Sequence, residues 1–110
     1  MVFIEAAVFT NRLADLAGKA AAEVLSTIQG DLLINPERGR LVPGLGGIRK
    51  ARAANPARGK GKRGGFRYLY VYLQTKGHIH LLYLLDKDEQ EDLDAEQRKA
   101  ISKLVAELKR

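Results

Sequence analysis

Two consecutive apolar segments separated by a short turn constrain the fold of this chain most. The segments are "FRYLYVYL" (66–73) and "HIHLLYLL" (78–85), which are rich in tyrosine, leucine, valine and isoleucine. Side chains alternate between the two faces of a strand, and both faces carry apolar groups here, which is typical of central strands covered on both sides. The turn near Lys76-Gly77 is short, so the pair is predicted to form an antiparallel hairpin. A sheet with packed layers on its faces is therefore expected.

The N-terminal third predicts one strand followed by a helical hairpin. Residues 2–9 are β-branched and aromatic enough for a short first strand. Thr10 is the expected N-cap of a helical hairpin over residues 10–35, which Gly18 interrupts and Pro36 ends.

The remaining segments complete an α+β order. Residues 40–47 are predicted to be a loop or irregular strand, and residues 48–53 an edge strand. Asp94 and Gln97 form a capping-box pattern at the start of a last helix. Its predicted buried stripe comprises Ala100, Ile101, Leu104, Val105 and Leu108. The order of a strand, two helices, a sheet and a final helix predicts the α+β class.

Length and composition narrow the protein class. A chain of 110 residues is expected to form one domain, 1–110. It has no cysteine, which excludes disulfides and thiolate metal sites and fits a reducing compartment. No segment reaches the roughly 18 apolar residues of a membrane span, and the start lacks a basic secretory leader. We expect a soluble, cytoplasmic protein.

Positive charge is concentrated in the middle of the chain. The formal net charge is +6, yet residues 38–85 contain no aspartate or glutamate. The lysines and arginines of this segment are Arg38, Arg40, Arg49, Lys50, Arg52, Arg58, Lys60, Lys62, Arg63, Arg67 and Lys76. This segregation predicts one cationic face and an anionic partner such as nucleic acid, the alternative being a solvated loop.

The hairpin predicts that two of the cations meet at one end of the sheet. Arg67 shares a face with Leu69, and Lys87 shares a face with Leu85. A turn near residue 76 places Arg67 opposite about residue 85, so Lys87 becomes its diagonal neighbour at roughly 7–8 Å. Two structural alternatives stay open: Lys87 as part of a solvated charge run, and Arg67 as an ion-pair partner of the nearby acids. Those acids are Asp86, Asp88 and Glu89.

The histidines and the acidic run have simpler interpretations. His78 and His80 share a face, but no third ligand lies at a useful spacing, so strand positions are favoured over a metal site or a ribonuclease acid–base pair. The run "DEQEDLDAE" leads into the last helix, where anions are favourable. Glu89 or Glu91 as a proton acceptor beside Lys87 is the alternative.

Three segments together resemble a known family. They are "LLINPERGRLVPGLGGIRKAR", "GKGKRGGFRYLYVYL" and "LLDKDEQEDL", and they resemble the RelE/HigB-type toxins of bacterial toxin–antitoxin systems, most closely the HigB-like branch. The resemblance implies a small twisted antiparallel sheet with two N-terminal helices and a C-terminal helix. It also implies cleavage of mRNA on the ribosome without a metal or other cofactor, and a cognate antitoxin with a helix-turn-helix region.

The same resemblance assigns the candidate site. Arg67 matches the arginine after the family's double glycine and Lys87 the lysine before its acidic run, which makes both candidate catalytic residues. Many relatives have a tyrosine where this chain has Leu85, and Tyr83 is the candidate substitute. The candidate RNA-binding residues are Arg49, Lys50, Arg52, Arg58, Lys60, Lys62, Arg63 and Tyr83.

Two functions without cleavage stay open. One is a basic module that binds RNA or the ribosome passively. The other is a DNA-binding regulator, which is disfavoured because the helices show no helix-turn-helix pattern.

Overall fold

A five-stranded sheet carries helices on both faces. The computed structural model describes residues 1–57, 65–90 and 92–110. The strands are β1 (Val2–Glu5), β2 (Arg40–Leu41), β3 (Ile48–Ala53), β4 (Phe66–Leu73) and β5 (His78–Asp86), in the spatial order β1-β5-β4-β3-β2. The helices are α1 (Ala7–Ala17), α2 (Ala21–Ile34) and α3 (Ala95–Leu108). The predicted α+β class is confirmed, with one departure from an antiparallel sheet: β1 runs parallel to β5.

The sheet buries apolar side chains on both faces, as the hairpin pattern predicts. On one face α1 and α2 cover the aromatic side of β4, including Phe66, Tyr68 and Tyr70. On the other face α3 covers Leu69 and Val71. Because β4 and β5 are central and β4 is apolar on both faces, they form the core between two helical layers.

The first helix begins earlier than predicted. The backbone N–H of Ala6 donates to Leu81 O at 2.9 Å, which ends the pairing of β1 with β5, and α1 starts at Ala7. Thr10 therefore lies inside the helix, and its hydroxyl donates to Glu5 Oε1 at 2.8 Å instead of capping. The strand prediction for residues 6–9 was wrong. Phe9 belongs to α1 and is buried on the face of the helix that packs against the sheet, and aromatic content alone does not distinguish this burial from that of a strand residue.

The C-terminal end of the helical hairpin follows the prediction. Gly18 ends α1 with φ +52°, a left-handed value that a side chain disfavours, and α2 stops at Ile34, one residue before Asn35 and the proline. At α3, Asp94 Oδ1 accepts from Gln97 N at 2.8 Å, and the capping box is confirmed. Ala100, by contrast, is exposed and lies outside the buried stripe of α3.

A β-bulge in β5 breaks the simple alternation of that strand. Leu69 pairs with Tyr83 but Tyr70 pairs with Leu81, so Leu82 has no partner on β4. Leu82 and Tyr83 consequently both pack in the α3 layer, whereas Leu81 packs under α1 and α2. Regular alternation would place Ile79, Leu81, Tyr83 and Leu85 on one face. This expectation was wrong, because Ile79 and Leu81 lie on the α1–α2 side and Tyr83 and Leu85 lie on the α3 side.

The four residues 74–77 connect β4 to β5, and the predicted antiparallel hairpin is confirmed.

The two edge strands of the sheet, β1 and β2, are short. The predicted edge position of β3 was wrong, because β2 lies outside it and pairs with its residues Arg49 and Lys50. Within residues 1–57, 65–90 and 92–110, no helix is both long and apolar enough to cross a membrane.

Candidate nucleic-acid interface

A cavity lined mainly by cations opens beside β3. Its volume is about 600 Å³. The described residues that line it are Arg38, Arg40, Lys50, Ala51, Arg52, Arg67 and Asp92, and we call this feature the cationic cleft. Five of its seven lining residues are arginine or lysine. A concave surface with one sign of charge raises the local concentration of an oppositely charged ligand.

Strand pairing brings four of these cations together. Arg40 lies opposite Lys50, and Arg52 lies opposite Arg67. Like charges directly opposite each other on neighbouring strands destabilise a sheet. The pairing of β2, β3 and β4 therefore concentrates positive charge along this side of the sheet.

Arg67 occupies the inner wall of the cleft. It is only 7% exposed, and its Nη1 donates to Phe66 O at 3.3 Å. It follows Phe66 on β4, and strand alternation places it on the α3 side with Leu69. A largely buried guanidinium on a cavity wall offers a planar fork of donors to a phosphate group.

Lys87 is placed by the sheet register but lies outside the cleft lining. Arg67 pairs with Leu85, and Lys87 N donates to Gly65 O at 3.3 Å, which continues the β4–β5 ladder. The diagonal placement relative to Arg67 therefore follows the predicted register. Lys87 is half-buried, and it is not among the described residues that line the cavity.

The predicted RNA-binding residues of β3 divide between the two faces of the strand. Lys50 and Arg52 line the cleft. Arg49 lies on the opposite face, where its guanidinium donates to Glu37 O at 3.1 Å and Gly39 O at 2.7 Å, and Nη2 lies 3.2 Å from Glu37 Oε2. Arg49 therefore does not line the cleft, because adjacent strand residues point to opposite faces, and its role in RNA binding stays a prediction. Arg49 instead anchors the loop that leads to β2.

Tyr83 is not among the described residues that line the cleft. Tyr83 is 9% exposed, its ring lies 4.7 Å from the guanidinium carbon of Arg12, and its hydroxyl accepts from Gln97 Nε2 at 3.0 Å. These contacts fix the ring between α1 and α3, so it is not presented for base stacking. The remaining predicted cations, Arg58, Lys60, Lys62 and Arg63, lie outside the described residues.

Three charged lining residues, Arg38, Arg40 and Asp92, were missed by the site assignment from sequence. Arg38 and Arg40 stand at the start of the acid-free segment, and that position was the available signal. Asp92 lies 3.6 Å from Lys50, through Oδ1 and Nζ, and it is the one acid among the described lining residues. An exposed carboxylate at this place competes with an anionic ligand for Lys50.

His78 and His80 lie at the start of β5, at the opposite end of the strand from Lys87. Their ring centroids lie 6.1 Å apart, and burial, with the neighbouring His78 and Lys76, lowers the pKa of His80. In the part of the chain that the structure describes, no group of three or more histidine, cysteine, aspartate or glutamate side chains could hold a metal ion.

Comparison with known proteins identifies the fold. No protein-family model matches the sequence. The chain is similar to a double mutant of the Escherichia coli toxin RelE in the free state, with a TM-score of 0.62 and 14% identity over 94% of this chain and 96% of that one. The chain has a RelE-like fold.

Two complexes contain chains with the same fold. A RelBE toxin–antitoxin complex from Mycobacterium tuberculosis matches with a TM-score of 0.60 and 24% identity, over 77% of this chain and 95% of that one. The intact Escherichia coli RelBE complex matches with a TM-score of 0.57 and 14% identity, over 83% of this chain and 98% of that one. Because these identities are low, the likeness establishes the fold alone, which is RelE-like.

Proposed function

We propose that this protein is the toxin of a type II toxin–antitoxin pair and cleaves mRNA on the ribosome, in the cytoplasm, without a metal. The observation that carries the proposal is the cationic cleft on a RelE-like sheet, with Arg52 and Arg67 facing each other across two strands. The three sequence segments that resemble the HigB-like branch support it. The proposed partner is an antitoxin, because the neighbours include toxin–antitoxin complexes. The resemblance to the HigB-like branch implies that this antitoxin has a helix-turn-helix region.

The proposed reaction is an internal transesterification of RNA. The 2′-oxygen of one nucleotide forms a bond to the adjacent phosphorus, and the bond from phosphorus to the 5′-oxygen breaks. The 2′-hydroxyl proton passes to a base, and the leaving 5′-oxygen receives a proton. The products are a 2′,3′-cyclic phosphate and a free 5′-hydroxyl, and no water is consumed.

The cleft residues supply charge and orientation for this reaction. Negative charge grows on the non-bridging phosphate oxygens, and the guanidinium of Arg67 or Arg52 can donate to two of them at once. Lys87 is the candidate for proton transfer, acting from the end of the β4–β5 ladder. The ribosome would hold the message in an in-line geometry, which supplies part of the rate enhancement.

Induction of the gene in cells tests the proposal. The gene is expressed alone and together with the neighbouring open reading frame, and the 5′ ends of cellular mRNA are mapped. We expect growth arrest, new 5′ ends, and rescue by the neighbour. Arg67→Gln should reduce cleavage by about 10²–10³-fold, and Lys87→Ala by about 10²–10⁴-fold.

A matched control separates these effects from a general loss of charge. Lys103→Gln removes one positive charge from an exposed position on α3 and should leave cleavage unchanged. If Arg67→Gln and Lys87→Ala both arrest growth and cut mRNA like the parent, the catalytic site lies elsewhere.

A binding module without chemistry is the second candidate. The observation that favours it is the composition of the cleft: its described lining holds arginine, lysine and one aspartate, while Lys87 stands outside. Such a protein would bind RNA or ribosomes with strong salt dependence and generate no new 5′ ends.

A further inference from the structure

Arg38 lines one wall of the cationic cleft, and hydrogen bonds and an ion pair fix one nitrogen of its guanidinium. Arg38 lies just before β2 and lines the cleft. Its Nη1 donates to the hydroxyl of Tyr68 at 2.8 Å and to Arg52 O at 3.2 Å. The same nitrogen lies 3.7 Å from Asp31 Oδ2 on α2.

These contacts leave part of the guanidinium available. Arginine carries five N–H donors. In the part of the chain that the structure describes, the hydrogen bonds and the ion pair of the Arg38 guanidinium all use Nη1, so Nε and Nη2 can serve a ligand. The side chain is 22% exposed, which is enough to reach the cavity while the inner nitrogen stays fixed.

The residues that hold Arg38 come from the core of the α1–α2 layer. Tyr68 is fully buried on β4, and burial raises its pKa to about 12, so the phenol stays protonated. The hydroxyl therefore has a fixed ring position and can accept from Arg38. Asp31 supplies an opposite charge on α2, where its side chain is 25% exposed. A side chain held in this way loses little rotamer freedom when it binds a ligand.

We infer that Arg38 binds an RNA phosphate in the cationic cleft and that Tyr68 and Asp31 are positioning residues that hold its guanidinium. This inference rests on the proposed function and deepens it, because it assigns a second phosphate contact on the wall of the cleft away from Lys87. The competing interpretation is an ion pair between Arg38 and Asp31 that serves only stability.

Binding of a short single-stranded 2′-O-methyl RNA, which lacks the attacking hydroxyl, tests the inference at several salt concentrations. Arg38→Gln should weaken binding about tenfold and reduce the salt slope by about 0.7, the value for one phosphate on a single strand. Tyr68→Phe should weaken binding about threefold with an unchanged slope, because the charge remains. Lys103→Gln is the charge-matched control, and Arg38→Lys is the second variant if Arg38→Gln does not fold.

The double variant separates positioning from stability. If Tyr68 acts through Arg38, then Tyr68→Phe should add no further loss of affinity in the Arg38→Gln background. An additive loss, or unchanged RNA affinity in Arg38→Gln and Arg38→Lys, would overturn the inference. Arg52→Gln distinguishes failure of this inference from failure of the proposed function. If Arg52→Gln weakens RNA binding and the Arg38 variants do not, only the inference about Arg38 is refuted. If neither Arg52→Gln nor the Arg38 variants change RNA binding, the cationic cleft is not an RNA site.

Discussion

Gly65 is the position where one added methyl group should damage the fold most. A Cβ at this position would lie 2.2 Å from Ala53 O, 2.7 Å from Asn55 N and 3.0 Å from Ala54 C. All three atoms belong to the backbone that leaves β3, so no side chain can rotate away. A carbon and a carbonyl oxygen normally approach to about 3.3 Å. The chains would therefore have to separate by about 1 Å where β4 begins.

The expected cost of Gly65→Ala is about 3 kcal/mol of unfolding free energy, the upper end for overpacking, because a backbone segment must move. With an m-value of about 2 kcal/mol/M, the urea midpoint should fall by about 1.5 M. Equilibrium unfolding in urea, followed by circular dichroism, measures this. The same shift would displace Phe66 and Arg67, which follow directly on β4.

Gly30→Ala is the matched control for this prediction. Gly30 lies inside α2, and a Cβ there meets nothing within 4 Å. Because glycine costs about 0.5–1 kcal/mol relative to alanine inside a helix, this variant should be more stable than the parent. If Gly65→Ala unfolds within about 0.5 kcal/mol of the parent, the reasoning about close backbone approach is refuted.

Three further perturbations are informative. Asp92→Asn should strengthen binding of single-stranded RNA up to about fivefold, because it frees Lys50 from an exposed ion pair that is worth at most about 1 kcal/mol. Glu96→Gln is the control and should leave RNA binding unchanged, so equal gains in both variants would contradict this prediction. Asp94→Ala should lower the unfolding free energy by about 1 kcal/mol through loss of the α3 cap, and an unchanged urea midpoint would count against it. Tyr68 has a folded pKa of about 12 against 10.0 unfolded, so its contribution to stability is full below pH 10 and is lost as the pH rises through about 12; Tyr68→Phe should remove that part of the pH dependence.

The central hairpin could be predicted from the sequence because its signal is local. Strands β4 and β5 show alternation on both sides of one short turn, and their pairing needs no information from elsewhere in the chain. The bulge could not be predicted, because Leu81, Leu82 and Leu84 are equally apolar and nothing marks which of them is unpaired. The start of α1 was missed for a similar reason, since Phe9 suits a strand and a buried helix face alike.

The residues of the cleft could be predicted from the sequence only where they lie on a strand long enough to show the two-residue alternation of side chains. The two-residue period of β3 separates Arg49 from Lys50 and Arg52, so the position of Arg49 on the other face of the strand could be predicted. Arg40 joins the cleft as part of β2, a two-residue strand that pairs with β3, and Arg38 lies just before that strand. So short a strand has no recognisable sequence pattern. The role of these two arginines depends on long-range pairing that the sequence does not display.

The guanidinium of Arg12 has a consequence for the solubility of the folded chain. Strand β1 stops at Glu5, and in the described parts of the chain no strand pairs with residues 82–86 of β5 on that side. Arg12 Nε donates to Leu84 O at 2.5 Å there, and its Nη2 lies 3.6 Å from Glu89 Oε1. Exposed strand edges template pairing with other molecules, and a charged side chain across such an edge blocks it. One arginine on the first helix thus covers the edge of β5 that β1 leaves open, where it would oppose pairing with a strand of another molecule.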